Sequence, residues 1–299
     1  MSGVVLAFDI GGTSIKYSLV DPKGMLRKVY EVPTHAMNGG AAVIDTVMDI
    51  ADTLYPDFEE IAVSTAGQVD SENGIIIYAN ENIPHYTGLH VRGIISDHFH
   101  GMPVFVENDV NCVALGENCY GAGRGYRNYL CLTFGTGIGG AIIIDGRLYK
   151  GKHSIAGEFG HFTLYPNGRL CACGLYGCFE QYASVNALVR RVKERCGDNS
   201  CSNGRDVFVL MARNNAANEE VDNWIDDIIR GIANLVNIFD PECVIVGGGI
   251  MKEPYIIQKL RKDIPSRLLE TVRDVKIIPA MLGNSAGLLG AYSLCDVSK

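Results

Sequence analysis

Three cysteines and one histidine have the residue types and the spacing of metal ligands. The thiols follow the pattern C-x-C-x4-C with an imidazole ten residues upstream, and the four residues are His161, Cys171, Cys173 and Cys178. Three thiolates and one imidazole complete a closed tetrahedral Zn²⁺ site, the structural kind that leaves no position open for water. A chance cluster of cysteines is the alternative, but the interleaved glycines suit a chain that folds tightly around a metal. The pattern therefore predicts a structural zinc site.

Two turns rich in glycine and threonine, each between apolar stretches, have the composition of phosphate-binding loops. The first turn contains Gly11, Gly12 and Thr13, and the second contains Gly135, Thr136, Gly137 and Gly139. Successive backbone N–H groups can bind an anion in such turns without a helix, and glycine permits close approach and positive φ angles. An ordinary β-hairpin is the alternative for the first turn. Together the two turns predict hairpins that hold one polyphosphate.

An acidic residue, Asp9, stands two positions before the first of these turns. A carboxylate repels a bare phosphate, so Asp9 fits beside a polyphosphate only together with a cation. The simplest cation is Mg²⁺ bound through water. We therefore expect Asp9 to help hold magnesium.

The second turn also matches the dinucleotide-binding pattern G-x-G-x-x-G, through Gly135, Gly137 and Gly140. That pattern requires a helix directly after the glycines. Here the stretch AIIIDG follows, which has the composition of a strand. We therefore reject a Rossmann interpretation, and the sequence contains no G-x-x-x-x-G-K-[ST] motif either.

The elements that must position these residues alternate between strands and helices. Hydrophobic patterning predicts strands at residues 4–10, 15–20, 60–67, 101–109, 129–134 and 141–146, and a buried strand near 243–250. It predicts helices at residues 40–54, 110–121, about 183–196, 206–215, 219–239 and 285–295. Strands and helices mixed throughout indicate an α/β fold. The strand–turn–strand pattern occurs twice, half a chain apart, which suggests two lobes of common ancestry.

Composition excludes several classes of protein. The 299 residues are 47% hydrophobic and 20% charged, which is ordinary for a globular protein. A formal net charge of −8 without basic clusters argues against a nucleic-acid partner. The start of the sequence lacks a positive region before its short apolar run, and no apolar run reaches the length of a membrane span. We therefore expect a cytoplasmic protein with no membrane partner.

Six short motifs occur along the sequence in a fixed order, and together they indicate a protein family. They are D-x-G-G-T, E-N-D-x-N, G-T-G-x-G-G, E-x-G-H, C-x-C-G-x-x-G-C-x-E and a late G-G-G, and they run from Asp9 to Gly249. As an ordered set they resemble the ROK family of repressors and sugar kinases. The resemblance implies a duplicated α/β fold of the actin/hexokinase (ribonuclease H-like) type, with two lobes and a central cleft that holds ATP.

The same resemblance implies a division of the chain into two lobes. The small N-terminal lobe would comprise residues 1–109, with a C-terminal helix at about 286–299 packed back on it. The large lobe would comprise residues 110–285 and would carry the zinc loop 161–178. The family also implies a homodimer.

The resemblance further implies roles for individual residues. Asp109 would accept the proton of a sugar hydroxyl; a simple helix cap is the alternative for this residue. The sugar site would be lined by Gly67, Asn108, Asp109, Glu158, His161 and Glu180, with Asn82 or Asn80 as a further contact. Gln68 stands where family members vary, so it could tune substrate choice.

On the nucleotide side, the two glycine turns would bind the phosphates, and Gly248 and Gly249 would meet the adenosine. A strand-to-helix turn that needs no ligand is the alternative for these two glycines. Asp9 keeps its expected part in holding Mg²⁺.

The sequence therefore predicts an ATP-dependent sugar kinase of the glucokinase or hexokinase type, acting on the 6-hydroxyl of a hexose. Glucose is the first candidate; fructose, mannose, N-acetylmannosamine and β-glucosides are alternatives. A sugar-responsive repressor is disfavoured because only eight residues precede Asp9, which leaves no room for a helix-turn-helix. A catalytically silent sugar sensor is the remaining alternative from another class.

Overall fold

The computed structural model describes residues 3–197 and 201–297 and has a mixed α/β fold. Its strands are β1 (Val5–Ile10), β2 (Ser14–Val20), β3 (Tyr30–Pro33), β4 (Glu60–Thr65), β5 (Gln68–Asp70), β6 (Ile75–Tyr78), β7 (Val104–Asn108), β8 (Tyr129–Phe134), β9 (Ile138–Ile144), β10 (Arg147–Leu148), β11 (Cys243–Gly247) and β12 (Lys276–Pro279). Its α-helices are α1 (Gly40–Leu54), α2 (Val91–His98), α3 (Asp109–Tyr120), α4 (Glu180–Ala183), α5 (Val185–Cys196), α6 (Gly204–Met211), α7 (Asn215–Phe239), α8 (Pro254–Asp263) and α9 (Ala286–Val297).

The predicted repeat is confirmed as two five-stranded sheets with corresponding topology. The first sheet has the order β3-β2-β1-β4-β7 and the second the order β10-β9-β8-β11-β12. In each sheet a hairpin (β1–β2 or β8–β9) is antiparallel, and two further strands continue in parallel from its first strand. Strands β5 and β6 form a separate two-stranded sheet.

Contacts divide the chain into two units. Unit 1 comprises Met1–Arg124, Leu148–Ala156 and Asn284–Lys299, and unit 2 comprises Gly125–Arg147 and Gly157–Gly283. This division differs from the expected boundary after residue 109, because α3 packs on α9 and so stays with unit 1. At their crossing, β-carbons added at Gly116 and Gly290 would overlap the backbone of the facing helix. The last two residues of the expected C-terminal helix lie outside the described residues.

Both faces of the first sheet are buried, as expected for strands covered by helices on each side. Leu6, Phe8 and Ile10 of β1 belong to one apolar cluster, which includes buried residues of α1 and α2. Val5 and Ala7 belong to a second cluster with residues of α3 and α9. The alternation along β1 therefore fixes which face each helix covers.

Unit 2 contains its own set of packed helices, in which α7 contacts the segment between α4 and α5. The indole of Trp224 on α7 is fully buried, and its Nε1 donates to the Ser184 carbonyl at 3.0 Å, directly before α5. Ser184 in turn caps α5 by accepting a hydrogen bond from Ala187 N at 3.1 Å. These contacts fix α7 to the junction of α4 and α5.

Three helix boundaries in unit 2 differ from the sequence prediction. The helix expected at about 183–196 is α5, which begins at Val185 and follows the short helix α4. Helix α6 spans Gly204–Met211 instead of 206–215, and α7 begins at Asn215 instead of 219. Asparagine caps explain both shifts: Asn203 caps α6 in a capping box and Asn214 caps α7. Among the described helices, none combines the length and apolarity needed to cross a membrane.

Candidate active site

Asp109 lies where β7 gives way to α3 in unit 1. Its neighbour Asn108 is the helix N-cap, because Asn108 Oδ1 accepts hydrogen bonds from Val110 N at 2.9 Å and Asn111 N at 3.0 Å. Asn108 Nδ2 donates to Asp109 Oδ1 and to the Gly67 carbonyl, both at 2.8 Å. Capping α3 therefore does not depend on Asp109 alone, and Asn108 orients its carboxyl.

The environment of Asp109 favours the protonated carboxyl. Burial raises the pKa of Asp109 from 3.8 to about 7, and the nearby charge of Asp9 adds to the increase. Hydrogen bonds from Val110 N and Asn108 act in the opposite direction, but they are weaker than burial. The residue as a whole is only partly buried. A carboxyl with a pKa near neutrality is suited to take up a proton during a reaction.

Asp9 is held on three sides at the end of β1. Ser64 Oγ on β4 donates to Asp9 Oδ1 at 2.7 Å, and Lys16 is the register partner of Asp9 on β2. On α9, a β-carbon at Gly287 would lie 2.6 Å from the Asp9 carboxyl carbon. Burial raises the pKa of Asp9, while Ser64 and Lys16 oppose that increase. A fixed carboxylate oxygen of this kind suits a hard cation such as Mg²⁺.

The first glycine turn, between β1 and β2, is closed by backbone contacts. Gly11 N donates to the Ser14 carbonyl at 3.0 Å, and Thr34 Oγ1 donates to the Gly11 carbonyl at 2.7 Å. Gly12 and Thr13 at the tip are exposed, and a β-carbon at Gly12 would meet no atom within 4 Å. Neither glycine has a positive φ, so the predicted conformational reason for glycine is wrong here. The other predicted reason for glycine, close approach of a ligand to the backbone, is compatible with the open space around Gly12.

The second glycine turn, between β8 and β9, contacts α4. Ile138 N donates to Glu180 Oε2 at 3.0 Å, and a β-carbon at Gly137 would overlap the same carboxylate oxygen. At Gly135 the corresponding space is empty within 4 Å, and Thr136 is exposed. Unit 2 therefore brings Glu180, expected at the sugar, directly against a turn expected at the phosphates. Gly139 lies further along, opposite Thr133 in the β8–β9 ladder.

Gly248 and Gly249 follow β11, and only the first of them is required to be glycine by the surrounding backbone. Gly248 has φ +101°, and a β-carbon there would overlap the Phe134 carbonyl. The fold therefore requires glycine at 248 whether or not a nucleotide binds. Gly249 begins a 3₁₀ helix (Gly249–Lys252), is exposed and has open space around it, so a close ligand fits at this position.

The four predicted metal ligands come together in unit 2. One ligand atom from each of His161, Cys171, Cys173 and Cys178 lies within 4.8 Å of the others. Cys173 Sγ and Cys178 Sγ are 3.6 Å apart, and His161 Nδ1 is 3.7 Å from Cys171 Sγ. Two sulfurs on a tetrahedral Zn²⁺, each at about 2.3 Å, would stand about 3.7 Å apart. The donor set and its spacing therefore fit zinc.

The two ring nitrogens of His161 have different neighbours. Nδ1 points to the cysteines, while Nε2 lies 3.9 Å from Glu158 Oε2. Gln181 Nε2 is 3.7 Å from Cys171 Sγ, which ties α4 to the same cluster. The cluster thus holds His161 beside Glu158 and next to the helix that carries Glu180.

The remaining sugar-site candidates lie in unit 1. Gly67 has φ +99°, and a β-carbon there would be 2.9 Å from the Tyr78 carbonyl. Asn82 is exposed on the loop after β6, and its backbone N–H donates to Asn80 Oδ1 at 3.1 Å. The Asn80 oxygen is thus engaged within the loop, which favours Asn82 of the two asparagines as a ligand contact.

Four residues with contacts at these sites were assigned no role from the sequence: Ser64 and Gly287, which contact Asp9, and Glu107 and Lys150, which form an ion pair. Glu107 stands inside the E-N-D-x-N motif, so its position was marked although its partner was not. The other three lie far from their partners in sequence. No local pattern distinguishes them from ordinary serine, lysine or glycine residues.

Known proteins resemble this chain over nearly its whole length. The sequence matches the model of the ROK family over residues 5–297. A glucokinase of Streptomyces coelicolor is 35% identical, over 98% of this chain and 97% of its own length. A beta-glucoside kinase of Listeria monocytogenes is 32% identical, over 96% of this chain and 95% of its own length.

Among solved structures, a ROK family glucokinase from Streptomyces griseus in complex with glucose and AMPPNP has a TM-score of 0.84 and 32% identity, covering 98% of this chain and 99% of that chain. The actin/hexokinase-like α/β fold is confirmed, and the chain is an ATP-dependent sugar kinase. It belongs to the ROK family.

Proposed function

We propose that this kinase transfers the γ-phosphoryl group of ATP to the 6-hydroxyl of a hexose, with glucose as the first candidate, and that Asp109 is the general base. The observation that carries the proposal is the Asp109 carboxyl, oriented by Asn108 and with a pKa raised to about 7. The glucokinase relatives support the choice of glucose.

In the proposed reaction, the 6-hydroxyl oxygen attacks the γ-phosphorus while Asp109 accepts the hydroxyl proton. The bond between the γ-phosphorus and the β–γ bridging oxygen breaks, and ADP leaves with that electron pair. Enzymes of this kind act mainly by positioning the reactants and stabilising charge. A base with a pKa near the working pH is ionised before transfer and still basic enough to take the proton.

Each unit contributes residues to the proposed binding of substrates. In unit 1, the sugar would contact Gly67, Asn82, Asn108 and Asp109, and the phosphates would contact Gly11, Gly12 and Thr13. In unit 2, the sugar would contact Glu158, His161 and Glu180, and ATP would contact Gly135, Thr136, Gly137, Gly139, Gly248 and Gly249. The open spaces at Gly12, Gly135 and Gly249 support close approach of a ligand to the backbone.

Asp9 would hold Mg²⁺ through water, with Ser64 fixing the orientation of its carboxylate. Magnesium bound there would neutralise charge on the phosphates of ATP. Without a cation, Asp9 would repel those phosphates, which is why we propose magnesium as part of the nucleotide site.

We also propose that His161, Cys171, Cys173 and Cys178 hold a structural Zn²⁺. The ligand geometry supports this, since three thiols and one imidazole converge with spacings close to those of a tetrahedral site. The metal would stiffen the loop that carries Glu158 and would fix the ring of His161. Its other ring nitrogen would then be available to a sugar hydroxyl.

A coupled ADP-release assay across glucose, fructose, mannose, N-acetylmannosamine and a β-glucoside tests the proposal. We expect the highest kcat/KM with glucose and no turnover of 6-deoxyglucose. Asp109→Asn should lose several orders of magnitude in kcat while it still binds sugar, whereas Asp274→Asn, at an exposed aspartate, should match the wild type. Turnover of 6-deoxyglucose, or near-normal kcat in Asp109→Asn, would refute the proposal.

The same assay distinguishes glucose phosphorylation from two alternative functions. The beta-glucoside kinase relative favours a β-glucoside as the second candidate substrate, and the panel separates it from glucose. A sugar sensor without catalysis would bind a hexose by calorimetry and release no ADP with any of them. The family resemblance also suggests a homodimer, which sedimentation equilibrium tests directly.

A further inference from the structure

The ion pair between Lys150 and Glu107 lies beside the proposed catalytic aspartate, in unit 1. Glu107 is the next-to-last residue of β7, and its side chain is only 1% exposed. Lys150 Nζ lies 2.9 Å from Glu107 Oε2 and also contacts Ser71 Oγ. Apart from this ammonium group, the described residues offer no well-aligned hydrogen-bond donor to Glu107 Oε2. Lys150 is therefore the partner of a buried carboxylate.

The other oxygen of Glu107 holds the start of α3. Glu107 Oε1 accepts hydrogen bonds from Asn108 N at 2.9 Å and from Asn111 Nδ2 at 3.0 Å. Asn111 is itself 5% exposed, so both contacts are shielded from water. A buried carboxylate that loses its cation either takes up a proton or moves towards solvent. Either change would disturb the two donors that fix this strand-to-helix junction.

The junction in turn sets the direction of Asp109. Asn108 Nδ2 donates to Asp109 Oδ1, while Asn108 Oδ1 caps α3. A displacement of Asn108 would therefore rotate the carboxyl that it orients. Displacements of about 1 Å at groups away from the reacting atoms can cost about 10²-fold in rate.

The geometry points to Lys150 as a positioning residue for phosphoryl transfer, which keeps Glu107 oriented so that Asn108 aims Asp109 at the sugar hydroxyl. Lys150 contacts neither of the proposed substrates in this role. The inference rests on the proposed function of Asp109. Lys150 lies 41 positions after Asp109 in the sequence and outside all six family motifs.

Steady-state kinetics of Lys150→Met, Lys150→Arg and Lys152→Met test the inference. Lys152 is the matched control, since it lies on the same segment and is exposed. We expect Lys150→Met to lower kcat about 10²-fold, with the KM values for sugar and ATP changed less than about threefold. Lys150→Arg should recover most of the loss because it restores the cation, and Lys152→Met should match the wild type. Equal kcat in Lys150→Met and Lys152→Met would overturn the inference.

The double variant Lys150→Met/Glu107→Gln keeps the test decisive if Lys150→Met does not fold. This variant has no unpaired buried charge, so we expect its Tm to return towards that of the wild type. Its kcat should remain at least about tenfold low, because the amide nitrogen that replaces Glu107 Oε2 has lost the Lys150 contact that held this end of the side chain in place. Recovery of both Tm and kcat would make the ion pair merely structural and would overturn the inference. Asp109→Asn, assayed in parallel, reports separately on the proposed base.

Discussion

The carboxylate of Glu180 lies directly against Gly137, where any β-carbon would overlap Glu180 Oε2. The same oxygen accepts a hydrogen bond from Ile138 N at 3.0 Å. A residue expected at the sugar is thus bonded to a turn expected at the phosphates. Glycine at 137 therefore has a role in placing Glu180, besides any contact with ATP.

Gly137→Ala should weaken sugar binding as well as ATP binding. The new methyl group would push Glu180 away from Ile138 N, so we expect the KM for sugar to rise about tenfold or more. Gly135→Ala is the matched control, because its β-carbon would meet no atom within 4 Å. We expect it to raise the KM for ATP only. Sugar KM values that are alike in the two variants would show that the Glu180 contact has no part in sugar binding.

Local patterns were sufficient to predict most elements of the fold. Strand alternation and the glycine turns marked β1, β2, β8 and β9 to within a few residues, because period-2 burial and turn chemistry are encoded locally. The starts of α6 and α7 were missed because Asn203 and Asn214 act as caps within polar stretches of weak periodicity.

The zinc cluster could be predicted because its four ligands lie within 18 residues and have diagnostic types. Two other contacts could not be predicted from the sequence: the pairing of Lys150 with Glu107 and the packing of Gly287 against Asp9. These contacts depend on tertiary packing between segments distant in sequence, and neither lysine nor glycine carries a local signal for its partner.

Activity should depend on the ionisation of Asp109. Because the pKa of Asp109 is raised to about 7, most molecules carry the protonated carboxyl below that pH, and this form cannot accept the hydroxyl proton. We expect kcat/KM for the sugar to fall about tenfold per pH unit below pH 7 and to level off above it. A profile that stays level down to pH 5 would contradict the assigned base.

Asp109→Asn should also stabilise the protein at neutral pH. The pKa of Asp109 is higher in the folded state than in the unfolded chain, so its ionisation opposes folding as pH rises from about 4 to about 7. Asparagine removes this cost and keeps an acceptor for Asn108 Nδ2. We expect a gain of about 1–2 kcal/mol at pH 8 and little gain at pH 4, from denaturant unfolding. A gain that is independent of pH would have another origin.

Zinc should be present at about one ion per chain and should depend on Cys178. Cys178 is fully buried, and a serine there would replace a soft thiolate ligand. We expect elemental analysis to find zinc in the wild type and in Cys119→Ser, whose thiol lies outside the cluster, but not in Cys178→Ser. The KM for sugar should rise in the metal-free variant because His161 and Glu158 lose their support. A metal-free protein with unchanged KM would refute the role of the metal in sugar binding.

The crossing of α3 and α9 should tolerate no side chain at Gly290. A β-carbon there would overlap the Cys112 carbonyl, which is main chain and cannot rotate away as a side chain would. Helix α3 begins with Asp109, and α9 carries Gly287 against Asp9, so separating the helices would disturb both carboxylates. We expect Gly290→Ala to lower the free energy of unfolding by about 3 kcal/mol and to reduce kcat. Gly12→Ala, whose β-carbon would stand in open space, should leave the unfolding midpoint unchanged. Equal midpoints for the two variants would mean that the helices can move apart without cost.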